Sequence, residues 1–291
     1  MEHVFIHALL DSLNIIVVVF VFNVVLSFFE STFTSKLVKT NKLNPLSGSL
    51  IGLIPQCGIS VISADLYLKE HLSMGTIVAI FIACSDEAIP IILSNPDKAL
   101  SVIPLLILKF VIGFCVGFLV DLIYRKHLNK VKEHRKHCEH EVEIKVGCCH
   151  HEINSVEEKP IERHLIHPII HSLKLLLYIF LINFIFGTII YLIGEETFIS
   201  ILKNNKYLTP LYAILIGLIP NCVSSVIITD LYIMGQLSFG TTLAGLITNA
   251  GLGMIVLLKN KNMIKKTMVI MSILVLTALV SGYVINLMIG F

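Results

Sequence analysis

Apolar residues run along this chain in stretches long enough to cross a bilayer as helix, about 20 residues for a hydrocarbon layer roughly 30 Å thick. Six read as single spans: residues 13–34, 73–93, 101–124, 173–194, 238–258 and 267–290. Two more, 45–68 and 210–234, are equally apolar but carry a proline and an amide near their centres. Proline removes a backbone donor and clashes with the preceding turn, so the pattern predicts helices interrupted at Pro55 and Pro220. Polar and charged residues gather in one block, 125–164.

The interrupted segments are near copies of one another. Residues 51–76, "IGLIPQCGISVISADLYLKEHLSMGT", and residues 216–241, "IGLIPNCVSSVIITDLYIMGQLSFGT", agree at 16 of 26 positions. The agreement extends outward: Asn44-Pro45 answers Thr209-Pro210 and Gly117 answers Gly282. With five extra residues in the second copy, His7, Ser12, Phe20 and Asn23 match His167, Ser172, Phe180 and Asn183. The chain therefore reads as two homologous halves, 1–124 and 165–291, joined by a linker over 125–164.

Lysine and arginine concentrate on the cytoplasmic side of membrane proteins, which tests how the halves are oriented. If each interrupted segment dips in and returns to the same side, each half crosses three times and the second is inverted. With the N-terminus outside, Lys98, Lys203 and Lys206 then face out. The best parallel arrangement leaves those three outside together with Lys36, Lys39, Lys42, Lys259, Lys261, Lys265 and Lys266. The expected fold is accordingly an all-α polytopic membrane protein of two inverted-topology repeats, each with three spanning helices and a proline-broken re-entrant helical hairpin. Inverted repeats with interrupted helices place the substrate site of secondary transporters near the midplane.

Composition agrees: 55% of residues are hydrophobic, 14% are charged, and the mean hydropathy is +0.86. The first residues carry no Lys or Arg, unlike the charged start of a cleavable signal peptide, so the first span is expected to stay in place. A net charge of +2 gives no sign of nucleic acid. There is no Walker A loop, HExxH or GxSxG, which disfavours an ATP motor or an intramembrane enzyme. Of seven cysteines, four lie in apolar segments and three in the linker, so a disulfide framework is not expected.

Several residues could carry chemistry. Cys57 and Cys222 occupy equivalent positions and would approach if the hairpin tips meet; as thiolates they suit soft metals and arsenite, and as thiols they pack well beside a proline break. Gln56 and Asn221 place amides at the same tips, to coordinate substrate or to cap the broken helices. Asp86 and Glu87 lie within the span 73–93, where a carboxylate is functional by default; their counterparts are Gly251 and Leu252. Asn249 corresponds to Cys84 on the matching helix. Lys109, deep in the span 101–124, has Leu274 as its counterpart. Its depth fits a static ion pair with Asp86 or Glu87, or a competition in which those carboxylates exchange protons or metal. Asp65 and Asp230 suit helix-end structural roles. Asn23 and Asn183 suit interhelical hydrogen bonding or cavity lining.

The linker holds clusters of a different kind, His134, His137, Cys138 and His140, then Cys148, Cys149, His150 and His151. Such tracts bind zinc-like or softer metals, yet the spacing matches no zinc finger. They read as a flexible cytoplasmic metal-collecting or sensing segment, or as a solvated tether. With no histidine deep in a span, the permeation site is not a histidine-rich zinc site.

The duplicated "GLIPxC...S...DLY...LS.GT" pattern, the acidic "SDEAIP" and the His-rich central loop resemble the ten-transmembrane heavy-metal exporters, the arsenic efflux proteins and manganese transporters. The resemblance spans nearly the whole chain outside the linker and implies a multi-pass metal or metalloid permease of the cell membrane, with ten hydrophobic segments. No cofactor is expected beyond the transported metal. The partners are the lipid bilayer and the substrate, with a homo-oligomer left open. Arsenite export leads, with metal Cys57/Cys222 at the tips and Asp86, Glu87 and Lys109 as coupling groups. The alternatives are a manganese-like divalent cation held by Asp86, Glu87, Gln56 and Asn221, an organic-anion permease, and a metal-sensing receptor working through its linker.

Overall fold

The computed structural model describes residues 44–55, 57–85, 87–125, 207–220, 222–260 and 263–289, with 128, 129, 131 and 188, and among them the regular elements are all helical. In the first half these are α1 (Pro45–Gly52), α2 (Cys57–Leu68), α3 (Met74–Ala83), α4 (Ala88–Leu93) and, after a 3-10 turn, α5 (Val102–Ile123). The second half gives α6 (Thr209–Gly217), α7 (Cys222–Ile233), α8 (Phe239–Thr248), α9 (Leu252–Lys259) and α10 (Ile264–Ile289).

Local chemistry sets the starts. Asn44 and Ser47 form a reciprocal capping box before α1, with Pro45 in the first turn where no amide is needed. Ser73 and Ser238 cap α3 and α8, their hydroxyls accepting from the amides of Thr76 and Thr241. α1 and α6 stop shortly before Pro55 and Pro220, as expected from sequence.

The two apolar stretches expected as single central helices are instead interrupted. Residues 73–93 form α3 and α4 with a break at Cys84–Glu87, and 238–258 form α8 and α9 with a break at Asn249–Gly251. Short polar side chains compete with the helical ladder: Asn249 Oδ1 accepts from Gly251 N at 3.1 Å. Gly251 sits at φ 59, ψ −153, a conformation open essentially to glycine. Pro90 falls in the first turn of α4, where its missing N–H leaves no ladder bond unmade.

α3 packs on α1 and α5, and α8 packs on α6 and α10 in the same way. The crossings depend on glycine, because a Cβ at Gly75 would lie 2.1 Å from the Gly117 carbonyl oxygen, and one at Gly240 2.7 Å from that of Gly282. Small residues of this kind let membrane helices approach closely. α5 and α10 bury one stripe each, and their other faces expose Ile103, Ile107, Phe118, Leu276, Val280 and Leu287. At 22 and 26 residues they reach ~33 and ~39 Å, enough to cross a bilayer.

The halves interlock. α9 packs chiefly on α2 of the first half, α4 packs on α7 of the second, and α3 meets α8. A Cβ at Gly253 of α9 would lie 2.4 Å from the Ser60 carbonyl oxygen of α2, so that contact is backbone to backbone. In the turn after α4, Lys98 places its ammonium 5.0 Å from the Tyr232 ring centroid of α7, a cation–π contact between the halves.

Candidate functional site

The two breaks lie where the halves meet, and Lys109 joins them. From the start of the apolar stretch at Ala99, ten residues of helix carry Lys109 about 15 Å inward, the middle of a ~30 Å hydrocarbon layer. The side chain is fully buried. Its ammonium donates to the Cys84 carbonyl at the end of α3 and, at 3.1 Å, to the Leu246 carbonyl in the last turn of α8.

Both acceptors exist because the helices stop there. The last carbonyls of a helix have no intrahelical partner, and here the amides four residues on are used elsewhere: Ala88 N donates to Ser85 O and Ala250 N to Thr248 O. Helix C-termini carry partial negative charge, which favours a cation. Bonds to charged groups contribute about 1.5–3 kcal/mol each, which offsets the cost of taking an ammonium out of water.

Glu87 is buried immediately before α4, and Cys84, which is in no disulfide, is buried on the other side of the same break. Asn249 is buried at the matching break, with its Oδ1 engaged by Gly251. The structure thus gathers Lys109, Glu87 and Asn249 onto the paired breaks. Cys57 and Cys222 are the first residues of α2 and α7, and these helices do not pack extensively on each other; each lies instead on the post-break helix of the opposite half. Cys57 and Cys222 side chains, Gln56, Asn221, Asp86, Asn23, Asn183 and the linker residues His134, His137, Cys138, His140, Cys148, Cys149, His150 and His151 lie outside the described residues. Among the described residues no group of three His, Cys, Asp or Glu gathers. Asp65 pairs with Lys69 at 2.8 Å across one helical turn, in keeping with a structural role, and Asp230 is buried.

Two polar residues escaped the sequence reading. Asp121 on α5 accepts from the Ser73 hydroxyl and the Gly75 amide, both at 2.8 Å, at the start of α3. Its counterpart Asn286 on α10 accepts from the Ser238 hydroxyl at 2.8 Å and donates to Thr241 Oγ1 at 3.1 Å. The signal was a polar residue four positions after the crossing glycine, Gly117 to Asp121 and Gly282 to Asn286, which places both on one helical face.

Residues 4–174 and 172–290 match a family model described as "Putative, 10TM heavy-metal exporter". The chain belongs to this family. Membership and the four described stretches long and apolar enough to cross a membrane make it a multi-pass membrane protein in contact with lipid. In this family member, two of those stretches are mostly buried and interrupted, and two are continuous and mostly exposed. No curated protein and no solved structure matches the chain.

Proposed function

We propose that this chain is a secondary-type permease that moves a heavy metal or metalloid out of the cell by alternating access and does not convert it chemically. The observation that carries the reading is the meeting of interrupted spans from both halves, with Lys109 and Glu87 buried at the breaks. Irregular backbone at membrane depth persists where it lines a cavity or is covered by protein, and in secondary transporters it flanks the substrate site. The family description supports the cargo class.

In this reading the halves are inverted repeats and residues 125–164 are a cytoplasmic linker that gathers metal. Cys57 and Cys222, with Gln56 and Asn221, bind a soft cargo such as arsenite, since thiolates prefer soft ions. Asn249, Asn23 and Asn183 line the route. Asp86, Glu87 and Lys109 supply charge compensation or proton coupling as one half rocks against the other. A divalent cation such as manganese is the second reading, favoured by the burial of Glu87 and Asn249 at the breaks, because hard ions take oxygen ligands.

Uptake of arsenite and of manganese into inverted membrane vesicles decides between them. Arsenite accumulation by the wild type, abolished in the Cys57→Ser/Cys222→Ser double variant, is the expected result. Manganese accumulation that survives loss of both thiols moves the site to the carboxylates. A chain that accumulates neither is not this permease.

A further inference from the structure

In secondary transporters, coupling cations such as sodium bind where unwound backbone and the C-terminal ends of half-helices turn carbonyls inward. α3 and α8 present such ends to one another. The Cys84 and Leu246 carbonyls belong to opposite halves, and the amides that would continue their helices are bonded to Ser85 and Thr248 instead. Between them lies one cation, the Lys109 ammonium, fully buried and donating to both oxygens. Packing alone does not require a lysine there: Leu274, its counterpart in the second half, is just as buried.

We propose that Lys109 is a tethered cation, its ammonium filling a carbonyl-lined monovalent-cation site between the halves, so that the protein needs no sodium or potassium at this place. An ammonium and a potassium ion are similar in size, and both take carbonyl oxygens. The tether keeps the group in place, where a free ion would come and go. The site stands on the geometry; its bearing on coupling rests on the permease reading above.

Thermal unfolding of the purified full-length protein tests the site independently of transport. The salt is N-methylglucamine chloride, exchanged for sodium, potassium or propylammonium chloride at constant ionic strength. Lys109→Ala removes Cγ through Nζ, the atoms that propylammonium replaces. This variant should melt below the wild type in N-methylglucamine and recover saturably with propylammonium, sodium or potassium. The recovery should be on the order of 5 °C or more when the cation stands about 100-fold above its dissociation constant. A folded Lys109→Ala protein that no cation stabilises overturns the proposal.

Lys109→Gln keeps a donor and removes the charge. Melting equal to that of the wild type would mean that a hydrogen bond suffices, which also overturns it; a lowered melting temperature supports it, and this variant decides if Lys109→Ala is not recovered folded. Wild-type vesicles that carry no metal, together with a cation-stabilised Lys109→Ala protein, would remove the permease reading and leave the cation site. Wild-type flux with a cation-insensitive Lys109→Ala protein would do the reverse.

Discussion

At the helix crossings and breaks the first half carries ionisable side chains where the second has neutral ones. Lys109 answers Leu274, Asp121 answers Asn286, and Glu87 answers Leu252. The surroundings of these positions are otherwise alike. Serine caps α3 and α8 in the same way, glycines bring α3 onto α5 and α8 onto α10, and the two central spans break at matching places. The second half therefore shows what the packing requires, which is small residues at the crossings and a polar cap at the helix start. Charge is not on that list: Asn286 supports the start of α8 as Asp121 supports that of α3, and Leu274 fills the place of Lys109.

Making the halves alike in charge is the most severe way to break this contrast. Leu274→Lys would bury a second ammonium in the apolar core, at a cost of several kcal/mol, and the full-length variant should fail to accumulate in the membrane as folded, monodisperse protein. Recovery at the wild-type level would mean that the core accepts charge on either side and that the asymmetry carries no information.

Alanine at the crossing glycines sharpens the comparison with a smaller effect. At Gly75 the new Cβ meets the Gly117 backbone oxygen at 2.1 Å, whereas at Gly240 its nearest neighbour is the side-chain Oδ1 of Asn286 at 2.3 Å. Backbone yields less readily than the end of a side chain, so Gly75→Ala should cost about 3 kcal/mol or more and Gly240→Ala less. Denaturant titration in detergent should rank them in that order; equal midpoints would show that both crossings relax alike.

The mildest change is Asp121→Asn, which gives the first half the cap already present in the second. Stability should move by about 1 kcal/mol or less, and metal flux should persist. Flux lost with stability intact would assign the Asp121 charge a role in transport that its hydrogen bonds to Ser73 and Gly75 do not suggest.

The repeat and the proline breaks were readable because they are written in residue identity: sixteen matched positions, with Pro55 and Pro220 in the same place. The breaks inside 73–93 and 238–258 were not, since a few polar residues barely lower the hydropathy of a long apolar stretch. Their trace was local, in the turn-forming Asn249 and Gly251 and in the polar run Ser85-Asp86-Glu87. Lys109 was legible as a deep charge, but its carbonyl acceptors were not. Side-chain patterns reveal only side chains, whereas the Cys84 and Leu246 oxygens become available only because two helices end beside them. Asp121 and Asn286 were missed because a polar residue near the end of a span looks like an ordinary approach to water.

The exchange of helices between the halves also constrains how the protein is made. α2 ends at Leu68, and its main covering partner, α9, begins only at Leu252. When the first half leaves the ribosome, its α2 and α4 therefore wait in the membrane without the neighbours that will enclose them. Surveillance proteases would meet that unfinished half before its covering helices arrive.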